Sequence, residues 1–373
     1  MNEQPRPHDA APLALPPDPA FAESPHEGVG LCLSGGGYRA MLFHLGSLWR
    51  LNEAGWLPRL TRVASVSGGS IAAGVLGVAW RRLAFEGGVA TNFATEVAEP
   101  ILSFAGRTVD IPSALLGLLS GGAGRRVAAA YDRHLFHGAT LQALPGDGEG
   151  PLFVYLATDL SNGVLCQFAR PYLRNYLSYD IAEPTVPLAT AVAASSAFPP
   201  FLSPIRLDLP GGRTVTLTDG GVYDNLGLEP VLKYVDTIFV SDGGGPFEVQ
   251  ERPRTDWLLG TVRVLITIQA KVGDLRRLQV VKGLATKRRR GGFWAIDTDP
   301  LDFERRAGTL PITRAQAEAL AATPTRLAAL PLAQRHRLVN WGYAAADACL
   351  RTYVDGNLPE PAGFPLPDGV GDA

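Results

Sequence analysis

Residues 33–45 read LSGGGYRAMLFHL: an apolar run stops at a serine, passes through three glycines, and restarts with an arginine in its first turn. Glycine is costly inside a helix or a strand, so a triplet at the end of an apolar run marks a place where bare backbone must turn sharply or approach another group. Upstream, residues 29–34 have the composition of a buried strand. Downstream, residues 39–54 have the spacing of a helix, which Gly55 closes. A second β-branched run, 61–66, leads through SGGS into a helix over 70–80. Strand, helix, strand, helix in this order predicts a parallel sheet covered on both faces. Further strands of that sheet are expected at 152–157, 214–217, 237–240 and 262–268, which gives a three-layer α/β/α architecture with a central, mostly parallel sheet and helical insertions.

The 373 residues divide into a Pro-rich lead-in (1–28), one domain (29–355, with no clear motif after about 246) and a Pro/Gly-rich flexible tail (356–373). Residues 85–143 and 170–200 are expected as helical insertions and loops, 271–306 as a mobile basic loop containing KRRRGGFW, and 332–353 as a last helix. A formal charge of -2 offers no general attraction to nucleic acid or to an anionic surface, so no nucleic-acid partner is expected. Cys32, Cys166 and Cys349 are odd in number and far apart, which argues against a disulfide framework or a zinc site. The N-terminus lacks a basic segment followed by an apolar one, and no apolar run reaches the roughly 18 residues of a membrane span. These features predict a cytoplasmic protein, with peripheral membrane contact left open.

The second strand ends in ASVSGGS (64–70). In a strand-turn-helix setting the pattern G-x-S-x-G lifts a serine hydroxyl above the sheet, and here Ser65 stands where the first glycine would be, so the nucleophile position is Ser67. Ser65 and Ser70 compete only by chemistry. A serine needs a base. The six histidines, His8, His26, His44, His134, His137 and His336, include none in a loop after a late strand, where a triad would put it. Two aspartates at strand ends remain, Asp219 in TLTDGGVYDNLG and Asp242 in IFVSDGGG. Either carboxylate could take the serine proton if confinement raised its basicity, and spacing does not choose between them. The peptide N–H groups of Gly35, Gly36 and Gly37, at a helix N-terminus and followed by Arg39, are suited to a developing oxyanion.

Taken together, LSGGGYRAM, SVSGGS and TDGGVYDNLG resemble the patatin-like phospholipases and the related catalytic domain of cytosolic phospholipase A2, over about 29–245. The resemblance implies a Ser-Asp dyad without histidine on an α/β/α fold. It assigns Ser67 as nucleophile and selects Asp219 as base over Asp242. It gives Gly35 to Gly37 and Arg39 to the oxyanion hole, and ATDLSNG (157–163) and AVAASSAFPPF (191–201) to the floor and mouth of the site. The implied activity is a phospholipase A-type acyl hydrolase acting on phospholipids or related lipid esters through an acyl-enzyme, with no cofactor and no metal. The alternatives are an acyltransferase or thioesterase with the same dyad, or a non-catalytic lipid-binding module. Lys287, Arg288, Arg289 and Arg290, beside Phe293 and Trp294, are a candidate headgroup or membrane contact.

Overall fold

The computed structural model describes residues 26–110, 122–199, 202–247, 249–253 and 256–371. The lead-in up to residue 25 and the stretch 111–121 lie outside them. Ten strands share one sheet: β1 (His26–Leu33), β2 (Arg62–Ser65), β5 (Leu152–Asp159), β6 (Leu165–Phe168), β7 (Tyr172–Asn175), β8 (Tyr179–Ala182), β9 (Ile205–Leu209), β10 (Arg213–Asp219), β11 (Val235–Asp242) and β12 (Arg290–Ala295). A separate small hairpin pairs β3 (Phe85–Glu86) with β4 (Val89–Ala90). The centre, in the order β12-β11-β1-β2-β5, is parallel throughout, and β6, β7 and β8 extend it as an antiparallel meander. The helices are α1 (Gly37–Glu53), α2 (Gly68–Ala79), α3 (Glu99–Phe104), α4 (Ala123–Tyr131), α5 (Leu188–Ser195), α6 (Gly221–Asp224), α7 (Glu229–Leu232), α8 (Trp257–Ala285), α9 (Arg314–Ala321) and α10 (Leu332–Tyr353).

Side chains alternate across a strand, and β1 shows both destinations. Leu31 and Leu33 join the main core with Met41, Leu45, Leu48, Ile71, Leu338 and Trp341 from α1, α2 and α10. Cys32 turns the other way, to Ala64, Val231, Leu232 and Val280 under α7 and α8. The sheet therefore lies between two helical layers. Helices α1 and α10 touch through bare backbone: a Cβ on Gly342 would lie 2.7 Å from the Phe43 carbonyl carbon, and one on Gly46 would lie 2.5 Å from the Tyr343 nitrogen. The buried Arg50 guanidinium donates to Asp347 at 2.8 Å across the same contact. Among the described residues no helix is long and apolar enough to cross a membrane.

Four expectations need correction. Residues 170–200, expected as helical insertions and loops, carry strands β7 and β8 of the main sheet before α5. Residues 262–268, VRVLITI, are part of helix α8 and not a strand. The basic run is no mobile loop, because 271–285 continue α8 and 290–295 form β12 at the sheet edge. Residues 356–371, expected as a flexible tail, lie along α10, where Asn340 Nδ2 donates to the carbonyls of Leu366 (2.9 Å) and Gly369 (2.7 Å) and His336 pairs with Asp368.

The sheet also has a branch, and the branch makes the site. Parallel pairing of β2 with β5 ends at Ser65↔Tyr155. Had it continued, Ser67 would sit opposite Ala157. That place is taken by antiparallel β10, whose last residue gives the pair Asp219↔Ala157. The chain after Ser65 must therefore leave the sheet where Asp219 enters it, and the two residues are brought together by register alone.

Candidate active site

Ser67 caps the N-terminus of α2 with φ 51 and ψ -118, a conformation that side chains other than glycine rarely adopt. Such backbone costs on the order of 1–3 kcal/mol and persists only where neighbours over-determine it. Here they do. The Ser67 N–H donates to Ser195 Oγ at 2.9 Å, Ser195 Oγ lies 2.9 Å from Ser70 Oγ, and Ser70 Oγ donates to Ser65 Oγ at 3.0 Å. Ser65, Ser70 and Ser195 are all buried, so three hydroxyls form a latch beneath the turn. Ser65, which departs from the glycine of the usual elbow, is one end of that latch.

The Ser67 hydroxyl lies beside the carboxylate of Asp219 and favours its charged form. That carboxylate is 3% exposed, and its Oδ1 accepts the Gly221 N–H at 2.7 Å. Burial raises its pKa from 3.8 to about 7, against the Gly221 N–H and the nearby Ser67 hydroxyl, which pull it down. Its backbone is fixed on both sides: Asp219 N–H donates to Ala197 O (3.1 Å), and Thr158 Oγ1 donates to Asp219 O (2.9 Å). Asp242 is different. Its Oδ2 accepts Arg277 Nε at 2.6 Å and its Oδ1 accepts Gly244 N–H at 2.8 Å, so it anchors α8 to the end of β11. His44 is buried in α1: Nε2 donates to the Ser34 carbonyl (2.9 Å), Nδ1 accepts from Ser241 Oγ (2.8 Å), and burial lowers its pKa to about 4. It is a neutral packing residue.

The glycine loop lies on the serine turn. A Cβ on Gly35 would meet Ser67 Cβ at 3.2 Å, and one on Gly68 would strike the Gly37 carbonyl oxygen and lie 3.0 Å from the Gly37 nitrogen. Gly36 (φ 144) and Gly37 (φ 61) hold backbone that favours glycine. The donors of this loop are not equivalent. Gly35 N–H is committed to the Asn225 carbonyl at 3.1 Å, whereas the N–H groups of Gly36, Gly37 and Gly68 have no acceptor among the described residues. Those of Gly37 and Gly68 open the first turns of α1 and α2, where helices leave donors unpaired. The Arg39 guanidinium, 6% exposed, is occupied: Nε donates to Gly243 O (3.1 Å) and Nη1 to Thr323 O (2.6 Å). It clamps two loops behind the glycines, and burial lowers its pKa to about 10.

The basic segment separates into parts. Lys287 and Arg288 are exposed in the turn after α8. Arg289 is buried and donates to Leu232 O at 3.0 Å, and Arg290 pairs with Asp236. Trp294, expected at an interface, is fully buried with Nε1 donating to Ser47 Oγ at 2.9 Å, and Phe293 packs against the core under α8. The residues that sequence reasoning missed are Ser195, Gly68, Asn225 and Gln269. The last sends Nε2 from α8 to the Gly221 carbonyl at 3.2 Å, next to the Asp219 loop.

The family described as "Patatin-like phospholipase" matches residues 31–232. Among solved structures the chain is similar to human GIVD cytosolic phospholipase A2 in complex with methyl gamma-linolenyl fluorophosphonate, at 15% identity over 86% of this chain and 57% of that one, with a TM-score of 0.45. It is also similar to VipD from Legionella pneumophila, at 15% identity over 84% of this chain and 66% of that one, with a TM-score of 0.32. The chain thus spans less than two thirds of the length of these solved relatives. No curated protein matches it.

Proposed function

The chain belongs to the patatin-like phospholipase family, a family of lipid acyl hydrolases, and from that premise we propose that it hydrolyses fatty-acyl esters of phospholipids or related lipids with Ser67 as nucleophile and Asp219 as base. The observation that carries the reading is the sheet register that sets Ser67 beside Asp219, a buried carboxylate whose pKa is raised to about 7. A base of that strength accepts a proton near neutral pH yet gives it back readily, as general acid-base catalysis requires.

In the proposed reaction Asp219 takes the hydroxyl proton while Ser67 Oγ attacks the ester carbonyl carbon. The carbonyl electrons move onto oxygen, which the N–H groups of Gly36, Gly37 and Gly68 receive, with the dipoles of α1 and α2 behind them. Collapse breaks the bond to the alcohol oxygen, which takes the proton from Asp219 and leaves as lysolipid. A water then gives its proton to Asp219 and attacks the acyl carbon, and collapse releases fatty acid as Ser67 recovers its proton. Gly35 and Arg39 have supporting parts in this scheme. Gly35 keeps space open beside Ser67 and ties the loop to Asn225, while Arg39 holds the loop from behind and adds positive charge at longer range.

The test is fatty-acid release from mixed phospholipid vesicles by the wild type, Ser67→Ala, Asp219→Asn and Asp242→Asn, with folding checked by circular dichroism. Activity in the wild type and Asp242→Asn but not in the other two is expected. Loss in Asp242→Asn alone would overturn the choice of base.

A further inference from the structure

Helix α8 is built inside out for a helix at a protein surface. Trp257 (83% exposed), Val264 (56%), Ile268 (56%), Leu275 (67%) and Leu278 (62%) point to solvent. Their spacing places them along one side of the helix. The inward side carries the polar groups: Gln269 reaches the Gly221 carbonyl, and Arg277 reaches Asp242, Asp297 (2.9 Å) and the Gly244 carbonyl. Val280 and Leu284 seat the helix on the core as well, so the apolar residues on its outer side are left without cover of their own.

We infer that the outward face of α8 is a docking surface for an anionic phospholipid bilayer, lying in the interface with the Ser67 mouth beside it. Charge selects this occupant. Residues 257–290 contain nine Lys and Arg against one acidic residue, Asp274, in a chain whose formal charge is only -2. Some of these cations are tied into the fold and Lys271 pairs with Asp274, but Lys282, Lys287 and Arg288 are exposed along the helix and at its end. A second copy docked face to face would bring like charge onto like charge, whereas anionic headgroups meet cations flanking an apolar stripe favourably. The location is also suited to delivery of substrate. Gln269 bonds the residue whose N–H holds the Asp219 carboxylate, and Val222 in the next position is 43% exposed, so α8 packs directly against the loop that carries the base. The candidate contact of the basic segment is thereby reduced to Lys287 and Arg288, at one end of a larger surface.

The inference rests on the lipid-hydrolase reading for its purpose, and its test can fail separately. The full chain carrying Ser67→Ala, which leaves vesicles undigested, is floated with vesicles of phosphatidylcholine alone and of phosphatidylcholine with phosphatidylglycerol. It is compared with the same chain also carrying Trp257→Ser, Leu275→Gln and Leu278→Gln, all at exposed positions. Binding to the anionic vesicles should weaken by about tenfold or more in the triple substitution, and binding to neutral vesicles should be weaker throughout. In the Ser67 background, vesicle hydrolysis should fall by a similar factor while a water-soluble short-chain ester is cleaved within about twofold of the wild-type rate. Unchanged flotation would overturn the inference, as would equal binding to both vesicle types. So would a lipid-free dimer that the triple substitution converts to monomer, since that would assign the face to a second copy. If the soluble ester is never cleaved, the hydrolase reading fails while the flotation result still stands.

Discussion

Replacing Asp219 by asparagine should disable the site and, above neutral pH, stabilise the protein. The wild-type carboxylate ordinarily has a pKa of 3.8, and burial holds it at about 7. Between those values the native state keeps a proton that the unfolded chain has lost. The stabilisation is complete below 3.8 and lost as pH rises through about 7. At about 1.4 kcal/mol for each tenfold change in proton affinity, ionised Asp219 costs the native state on the order of 4 kcal/mol, of which the part between about pH 5 and pH 9 is about 3 kcal/mol. Asparagine resembles the neutral acid in shape, can still accept from Gly221 N–H, and carries no such loss. Urea unfolding of both proteins at about pH 5 and about pH 9 isolates the effect, because groups common to both, such as His44, cancel in the difference. The variant's relative stability should grow by about 3 kcal/mol from the lower to the higher pH. Its kcat should fall by about 10²–10⁴, and wild-type kcat/KM should climb with pH through about 7 as the base ionises. A stability difference that is the same at both pH values would refute the reasoning, because it would mean the carboxylate is not held near neutrality by its surroundings.

Ser195→Ala removes the acceptor of the Ser67 N–H and one partner of Ser70, so unfolding should become easier by about 1–3 kcal/mol and kcat should drop with KM little changed. Both are read from denaturant titration and initial rates. Arg39→Lys cannot span the Gly243 and Thr323 carbonyls with one ammonium, leaves a buried acceptor unpaired, and should cost about 1–3 kcal/mol in the same titration. Gly68→Ala pushes a methyl group against the Gly37 carbonyl, which should separate the glycine loop from the serine turn. Acylation should slow by about 10²-fold or more while the fold persists, as checked by pre-steady-state kinetics and circular dichroism.

The elements legible in the sequence were those whose pattern is local. The strands at 29–34 and 61–66, with the helices that follow them, announce themselves by apolar runs ending in glycine, and the structure has β1, α1, β2 and α2 there. The segment VRVLITI looks like a strand because it is β-branched, yet it belongs to a helix whose outward side is apolar, so the usual link between apolar spacing and burial fails. Strand β12 was hidden by the glycines of RGGFWA. Gly291, at φ 118, is there because a Cβ would come 2.7 Å from the Ile238 carbonyl carbon. At the site, Ser67 and Asp219 stand in glycine-rich turns that mark them. Ser195 is one hydroxyl in a run of small residues, and its partner lies 128 positions away, a pairing that only the folded sheet creates. The separation of Gly35 from the donors Gly36 and Gly37 is likewise invisible in GGG, since it depends on the Asn225 carbonyl arriving from the far side of the chain.

The most direct test of the central claim is covalent labelling with a lipid fluorophosphonate, in which an activated serine oxygen bonds to phosphorus as fluoride leaves, followed by peptide mapping. A single adduct on Ser67 is predicted in the wild type, none in Ser67→Ala, and labelling slowed by about 10²-fold or more in Asp219→Asn. An adduct on Ser65, Ser70 or Ser195, or a Ser67 adduct that forms as fast without the Asp219 carboxylate, would contradict the account.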